Sequence, residues 1–257
     1  MPDIARGRFV WYDLTTPDPD SARRFYPAVV GWGTASFDAA GSPYTMWTRA
    51  GGGPETSIGG IQPMTRPPEH PPHWLAYVSV PDPDAVARRV EETGGRVWVP
   101  PRDIPTVGRF TVFADPHGAT ISAYAAENGT PDDDPEPAIG DFSWNELYTA
   151  GDPAEALAWY GEIFGWKEVD RFDMGPDGPY VMFGRRERPY GGIYRPAEGA
   201  GSWLHYVRVP DVERAVAAAR EAGGSVRVDP MEVPGGDRIA QLLDPQGVPF
   251  AVHQTAA

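Results

Sequence analysis

The sequence predicts an α+β fold made of four βαβββ modules arranged as two tandem domains. Two observations predict it. The first is a repeat: WLAYVSVPDPDAVARRVEETGGRVWVPP, from Trp74, recurs as WLHYVRVPDVERAVAAAREAGGSVRVDP, from Trp203. Trp203, Gly223, Pro230, Arg238 and Asp244 each follow Trp74, Gly94, Pro101, Arg109 and Asp115 by 129 residues. The front ends repeat as well. FVWYDL (Phe9 to Leu14) returns as FSWNEL (Phe142 to Leu147), and RFYPAVVGW, ending at Trp32, returns as AWYGEIFGW, ending at Trp166. The second observation is that each half reads as strand, helix and three strands, twice over.

The first module opens with FVWYDL, a strand by its alternating, aromatic-rich composition. Asp18 and Pro19 start a helix carrying Ala22, Phe25 and Tyr26, because a carboxylate caps free amides and proline tolerates the first helical position. Strands around Tyr44 to Thr48 and near Ile61 complete the module. In the second module Trp74 to Val80 alternate as a strand. Asp82 caps a helix whose Val86 and Val90 share one face, and Gly94 and Gly95 suit a left-handed terminus. RVWV, GRFTVFAD and ATISAYA follow as strands, the last two joined by the turn Asp115-Pro116-His117-Gly118. The second half repeats this order, with Asp152 and Glu155 as a capping-box pair, Asp211 as a further cap and Asp244-Pro245-Gln246-Gly247 as the turn. Between the halves, ENGTPDDDPEPAIG (Glu127 to Gly140) reads as a solvated linker. The expected division is a domain over 1–127, a linker over 128–140 and a domain over 141–257.

The 257 residues suffice for two cores. A net charge of −14 argues against nucleic acid as a partner, because a polyanion is repelled, and favours an aromatic or cationic small molecule. The absence of cysteine excludes disulfides and thiolate chemistry. The N-terminus lacks the apolar core of a signal peptide, and no apolar run reaches the roughly 20 residues of a membrane helix. The expectation is a cytoplasmic protein without membrane attachment, monomeric or homodimeric.

Tandem βαβββ modules, the FY-x-x-x-x-GW helix exit and the DPxG turn before the last strand resemble the vicinal oxygen chelate superfamily. Its members include glyoxalase I, extradiol dioxygenases and bleomycin-resistance proteins. The resemblance spans nearly the whole chain and is greatest to two-domain glyoxalase/bleomycin-resistance proteins of high-GC bacteria, some of which belong to aromatic antibiotic pathways. It implies cup-shaped half-barrel sheets with a ligand or metal in each cup. The metal positions implied by the resemblance fall on Trp11, Leu75 and Ser122 in the first half and on Trp144, Leu204 and Ala251 in the second. Divalent cations need several carboxylates or imidazoles, and this set supplies only the weak hydroxyl of Ser122. The expectation is therefore no metal and no cofactor.

Alternation places Phe9, Trp11 and Asp13 on one face of the first strand, matched by Phe142, Trp144 and Glu146. Leu75 and Tyr77 match Leu204 and Tyr206; Ser122 and Tyr124 match Ala251 and His253. Such a face makes an aromatic cavity with a few polar anchors. The bland reading is that the aromatics only fill the core. On the functional reading, Trp11, Trp144, Tyr77, Tyr206, Leu75, Leu204, Ser122, Phe9 and Phe142 contact a flat ligand by stacking. Asp13, Glu146, Tyr124 and His253 are the acid–base candidates, and His253 faces either Glu146 or Asp13. His70 and His73 lie in a proline-rich loop that offers no third metal ligand, His117 sits in a solvated turn, and His205 points to the face opposite Leu204. The glycine run from Ala50 to Glu55 precedes no helix and is not a phosphate cradle. The repeated Gly59-Gly60-Ile61 and Gly191-Gly192-Ile193 signal close backbone approach or a bulge.

Three functions follow from this reading. The first is metal-independent binding of an aromatic or apolar small molecule, such as an antibiotic or a biosynthetic intermediate. The second is a metal-free enzyme of a natural-product pathway, catalysing cyclisation, isomerisation, epoxide opening or hydroxylation. The third is a glyoxalase-type metalloenzyme with displaced ligands.

Overall fold

Each module closes by pairing its first strand with its last, in parallel, across the helix that a parallel connection requires. A computed structural model describes residues 3–39, 42–64, 71–197 and 201–256. The first half holds β1 (Phe9–Thr16), α1 (Pro19–Val30), β2 (Gly33–Ala39), β3 (Ser42–Thr48), β4 (Ser57–Pro63), β5 (His73–Ser79), α2 (Pro83–Glu92), β6 (Arg96–Ile104), β7 (Gly108–Ala114) and β8 (Thr120–Ala126). The second holds β9 (Phe142–Tyr148), α3 (Pro153–Phe164), β10 (Lys167–Asp173), β11 (Pro179–Arg185), β12 (Arg188–Tyr194), β13 (Ser202–Arg208), α4 (Val212–Glu221), β14 (Ser225–Glu232), β15 (Arg238–Leu243) and β16 (Pro249–Gln254). Two open, curved eight-stranded sheets result, ordered β2-β3-β4-β1-β5-β8-β7-β6 and β10-β11-β12-β9-β13-β16-β15-β14. The parallel closures are β1 with β4, β5 with β8, β9 with β12 and β13 with β16. No helix among the described residues is long and apolar enough to cross a membrane.

The helix starts form as their sequences dictate. The carboxylates of Asp18, Asp82, Asp152 and Asp211 accept amides of the first turn of α1, α2, α3 and α4. Gly31 and Gly165 end α1 and α3 in the left-handed conformation, at φ +77° and +78°. The sequence did not place β2 and β10. Both are edge strands and largely exposed, so no buried face imposes alternation on them.

Two compact units arise, and each combines a module from either half. One comprises Met1–Val10, Ala76–Pro135 and Trp144–Trp203; the other comprises Trp11–Leu75, Glu136–Ser143 and Leu204–Ala257. Inside each unit the repeated motifs meet. Tyr26 donates to Asp244 at 3.2 Å, and Tyr160 donates to Asp115 at 3.0 Å. Each aspartate also ties its own turn: Asp115 accepts the amides of His117 and Ala119, and Asp244 those of Gln246 and Val248. The GW tryptophans reach the glycine that precedes a first strand. Trp166 donates to Gly7 and Trp32 to Gly140, both at 2.7 Å. Aromatic rings fill the space around these bonds. Tyr160 packs with Phe164, Trp166 and Trp203, and Tyr26 packs with Trp32, Trp47, Trp74 and Phe250.

The acidic run between the halves is largely exposed, as a solvated linker would be, but ion pairs tether it. Asp133 pairs with Arg8 at 2.7 Å, Asp134 with Arg185 at 2.8 Å and Asp132 with Arg186 at 2.5 Å. The Tyr190 hydroxyl also donates to Asp134. Arginines distant in sequence neutralise the run, which composition alone does not reveal.

Removing the Tyr160 or Tyr26 hydroxyl leaves a buried carboxylate short of a donor. Tyr160→Phe and Tyr26→Phe should each lower the unfolding free energy by about 1.5–3 kcal/mol in urea titrations, the range for hydrogen bonds to charged groups. Burial raises the carboxyls of Asp115 and Asp244 above 3.8, while the turn amides and the tyrosines lower them in part. A raised folded value makes protonation favour the fold, so this contribution is complete below 3.8 and is lost as pH rises through the raised value. The stability of the wild type relative to Asp115→Asn should therefore fall across that window and level off above it.

Candidate functional site

Alternation along β1 buries Tyr12 and Leu14 in the core, 5% and 0% exposed, and turns Trp11 and Asp13 to the other face. Asp13 is nonetheless only 4% exposed. The Tyr44 hydroxyl, from β3, donates to Asp13 at 2.5 Å. The Trp11 indole N–H lies 3.1 Å from the same carboxylate oxygen and 2.9 Å from the Tyr44 hydroxyl. The second half repeats the arrangement around Glu146, 7% exposed. Tyr180, from β11, donates to Oε1 and Tyr148 to Oε2, both at 2.9 Å. Trp144 donates to the Tyr180 hydroxyl at 2.9 Å. Indole, phenol and carboxylate thus form a relay in which each bond polarises the next. Burial, and then the adjacent carboxylate, push the Tyr44 and Tyr180 phenols upward. Both remain protonated donors at neutral pH.

Glycine makes room for this geometry. Gly60 lies opposite Asp13, and Gly192 opposite Glu146, in the parallel registers. A Cβ at Gly60 would lie 1.8 Å from the Tyr44 hydroxyl oxygen, and one at Gly192 would lie 2.0 Å from Tyr180 Cζ. The preceding glycines serve the backbone: a Cβ at Gly59 would meet the Tyr12 carbonyl at 2.1 Å, and one at Gly191 the Asn145 carbonyl at 1.7 Å. Sequence reasoning missed Tyr44, Tyr148 and Tyr180 as carboxylate partners. The available signal was a Pro-Tyr pair in each half, Pro43-Tyr44 and Pro179-Tyr180, together with the Gly-Gly-Ile repeats.

The other expected residues divide in two. Tyr77 packs edge-on against Tyr124 at 6.4 Å and tilted against Phe110 at 6.1 Å. Tyr124 donates to the Val107 carbonyl at 2.8 Å, and burial raises its phenol. Tyr206 is 4% exposed and accepts from Gln241 at 3.2 Å. Leu75 and Leu204 are buried.

Phe9 and Phe142 depart from strict alternation. Phe9 stacks on Trp166 at 5.1 Å, and Phe142 stacks on Tyr12 at 3.7 Å and tilts against Trp32 at 5.4 Å. At the start of each first strand, aromatic packing around the GW tryptophans outweighs the alternation that would set these rings beside Trp11 and Trp144.

His253 meets neither Glu146 nor Asp13. Its Nδ1 lies 2.9 Å from Ser143 Oγ and its Nε2 2.8 Å from Asp237, so both ring nitrogens are taken. His205 is buried at 1% exposure beside Tyr12 and Phe142, and burial pushes its imidazole down to about 3. His73 contacts the Pro71 carbonyl, His117 is exposed, and His70 lies outside the described residues.

The positions to which the resemblance assigns metal ligands do not fit a cation. Trp11 and Trp144 direct indole N–H groups into the relays. Leu75, Leu204 and Ala251 present hydrocarbon, and the Ser122 hydroxyl is spent on the Thr111 carbonyl at 2.9 Å. Among the described residues no group of three or more His, Cys, Asp or Glu could hold a metal ion. An open depression of about 470 Å³, lined in part by Ile104, Pro105, Gly108 and Ala125, lies away from both carboxylates. The depression holds neither of the two buried acids.

The family model of the glyoxalase/bleomycin resistance protein/dioxygenase superfamily matches residues 8–122 and 145–252. The chain belongs to this superfamily. It is 32% identical to "Putative glyoxylase CFP32" of Mycobacterium tuberculosis, over 96% of this chain and 94% of that protein. It is also 32% identical to "Anthracycline biosynthesis protein DnrV" of Streptomyces peucetius, over 98% and 94%. Among solved structures it resembles the 2,2',3-trihydroxybiphenyl 1,2-dioxygenase of Sphingomonas wittichii, with a TM-score of 0.66 and 14% identity over 97% of this chain and 90% of that one. It likewise resembles the Mn(II)-bound glyoxalase of Novosphingobium aromaticivorans, with a TM-score of 0.63 and 16% identity over 99% and 83%. At these identities the structural likenesses establish the fold alone.

Gly60→Ala and Gly192→Ala should force the tyrosine rings off their carboxylates. The expected cost is about 1–3 kcal/mol, as for overpacking. A shift in the emission of Trp11 or Trp144, each deprived of its phenol acceptor, should accompany it in fluorescence spectra.

Proposed function

We propose that the protein binds a flat aromatic or otherwise apolar small molecule, without a metal, at the indole–phenol–carboxylate relays. The observation that carries this reading is a buried acid held by tryptophan and tyrosine in both halves, around Asp13 and Glu146. Ring faces of Trp11 and Trp144 supply stacking, worth about 0.5–1.5 kcal/mol per aromatic pair beyond area burial. A buried carboxylate favours a ligand with an amine or other cationic group, and the net charge of −14 draws such ligands in. The non-coordinating residues at the expected metal positions support metal independence. The relative named for anthracycline biosynthesis supports a polycyclic aromatic ligand, an antibiotic or an intermediate on the way to one.

The phenol of Tyr44 donating to the buried carboxylate of Asp13 favours a second reading, in which the pair acts as acid and base on such a molecule. A metal-free isomerisation, cyclisation, epoxide opening or hydroxylation then draws on Asp13 or Glu146 as base and on its tyrosine as proton donor.

Tryptophan fluorescence titration with polycyclic aromatic compounds, with and without an amine, tests binding. Saturable quenching is expected, with the amine-bearing compounds binding more tightly. Asp13→Asn and Glu146→Gln should weaken the amine-bearing ligands by about 10- to 100-fold, matching the ~1.5–3 kcal/mol of a charged hydrogen bond. No saturable binding of any compound would refute the proposal. Mass spectrometry of the recovered ligand separates the two readings: unchanged mass and retention indicate binding, and a new product indicates turnover.

A further inference from the structure

A second constellation lies in the unit that contains Leu204–Ala257, and the relays do not use it. Ser143, on β9, His253, on β16, and Asp237, in the turn between β14 and β15, form one hydrogen-bonded chain. Ser143 Oγ lies 2.9 Å from His253 Nδ1, and His253 Nε2 lies 2.8 Å from Asp237 Oδ2. A carboxylate only accepts, so Nε2 carries the proton of the neutral ring. That tautomer leaves the Nδ1 lone pair directed at the serine hydroxyl. The other contact of Ser143 Oγ, to the Tyr206 carbonyl, is longer at 3.4 Å.

Asp237 is itself positioned. The Ala256 amide donates to its Oδ1 at 2.8 Å, leaving Oδ2 for the histidine. Burial alone would raise its carboxyl, but the Ala256 amide, His253 and Arg208 outweigh it and hold the group below its ordinary range. Arg208 lies opposite His253 in the strand register. Its side chain donates to Thr255 at 2.9 Å and to the Pro137 carbonyl at 2.5 Å. The side chains of His253 and Asp237 are 13% and 34% exposed, so solvent reaches the chain of bonds.

The fold does not require these residues. At the repeat offsets of 133 and 129, the first half has Val10, Gly108 and Tyr124 in place of Ser143, Asp237 and His253. There the Tyr124 hydroxyl simply donates to the Val107 carbonyl. All three positions differ together, in modules that otherwise share strand order and turns.

We propose that Ser143 is the nucleophile of an acyl-transfer site, with His253 as its base and Asp237 as the group that orients the base, acting on a carboxylic ester. Ser143 Oγ bonds to the ester carbonyl carbon and its proton passes to His253 Nδ1. The ester C–O bond then breaks and the departing alkoxide takes that proton. Water, deprotonated by His253 in turn, hydrolyses the acyl-serine to the free acid and restores the hydroxyl.

A fluorophosphonate probe and p-nitrophenyl acetate test this on the full chain. The probe should modify the peptide that contains Ser143, and Ser143→Ala should abolish both the modification and the ester hydrolysis. Asp237→Asn should slow labelling at least about 100-fold, since the orienting carboxylate fixes the reactive tautomer. Because the chain contains no cysteine, Ser143→Cys introduces a single thiol and gives a readout independent of turnover. Its alkylation by iodoacetamide should plateau below the ~8.5 of a free thiol, and adding Asp237→Asn should shift that profile. Absence of wild-type labelling, labelling at another residue, a rate unchanged in Asp237→Asn, or an ordinary thiol profile would each overturn the assignment. The side chains of Ser143 and Asp237 bond to neither Asp13 nor Glu146, so these variants should leave ligand binding at the relays in place, and failure here is distinguishable from failure there.

Discussion

The hydrogen bond from a helix tyrosine to a turn aspartate, Tyr26 to Asp244 and Tyr160 to Asp115, is the constraint on which each unit depends. In each case the carboxylate satisfies two backbone amides of its own turn and a phenol carried by a helix of the other half. Both partners are buried, so neither can exchange the bond for water without exposing the aromatic cluster around it. The FY pair, the GW pair and the DPxG turn look like separate motifs in the sequence. In three dimensions they form one device: the tyrosine holds the turn, and the tryptophan holds the glycine that leads into a first strand.

With the helices anchored this way, the other face of each first strand is free to carry chemistry. Trp11 and Asp13, like Trp144 and Glu146, occupy that face because Tyr12 and Leu14, or Leu147, are committed to the core. The parallel partner strand then decides what the acid can meet. Glycine at 60 and 192 removes the side chain that would otherwise stand opposite the acid, and a tyrosine from the neighbouring strand fills the space. A position that reads as a weak point in a strand is thus what brings a phenol to the carboxylate.

The two halves share this plan and differ in its surroundings. The first half closes its last strand with Tyr124, bonded to a backbone carbonyl. The second places His253 at the equivalent point, with Ser143 and Asp237 at its two nitrogens. A duplicated scaffold permits such divergence, because strand pairing and the tyrosine–aspartate anchors supply stability independently of these side chains.

The sequence by itself determined the module order, the helix caps at Asp18, Asp82, Asp152 and Asp211, the DPxG turns and membership of the fold, because each depends on local chemistry or on the repeat. It also singled out Asp13 and Glu146 with their tryptophans, since strand alternation is a local property. Only the tertiary structure decided the rest. Tyr44 and Tyr180 reach their carboxylates through strand order and register, contacts between residues more than thirty positions apart. Phe9 and Phe142 stack on Trp166 and Tyr12 because the aromatic clusters that capture them are assembled from distant segments. His253 found Ser143 and Asp237, and the acidic run found Arg8, Arg185 and Arg186. Polar partners are chosen by proximity in space, and proximity between distant residues is fixed only once the strands are ordered and the modules have exchanged their anchors.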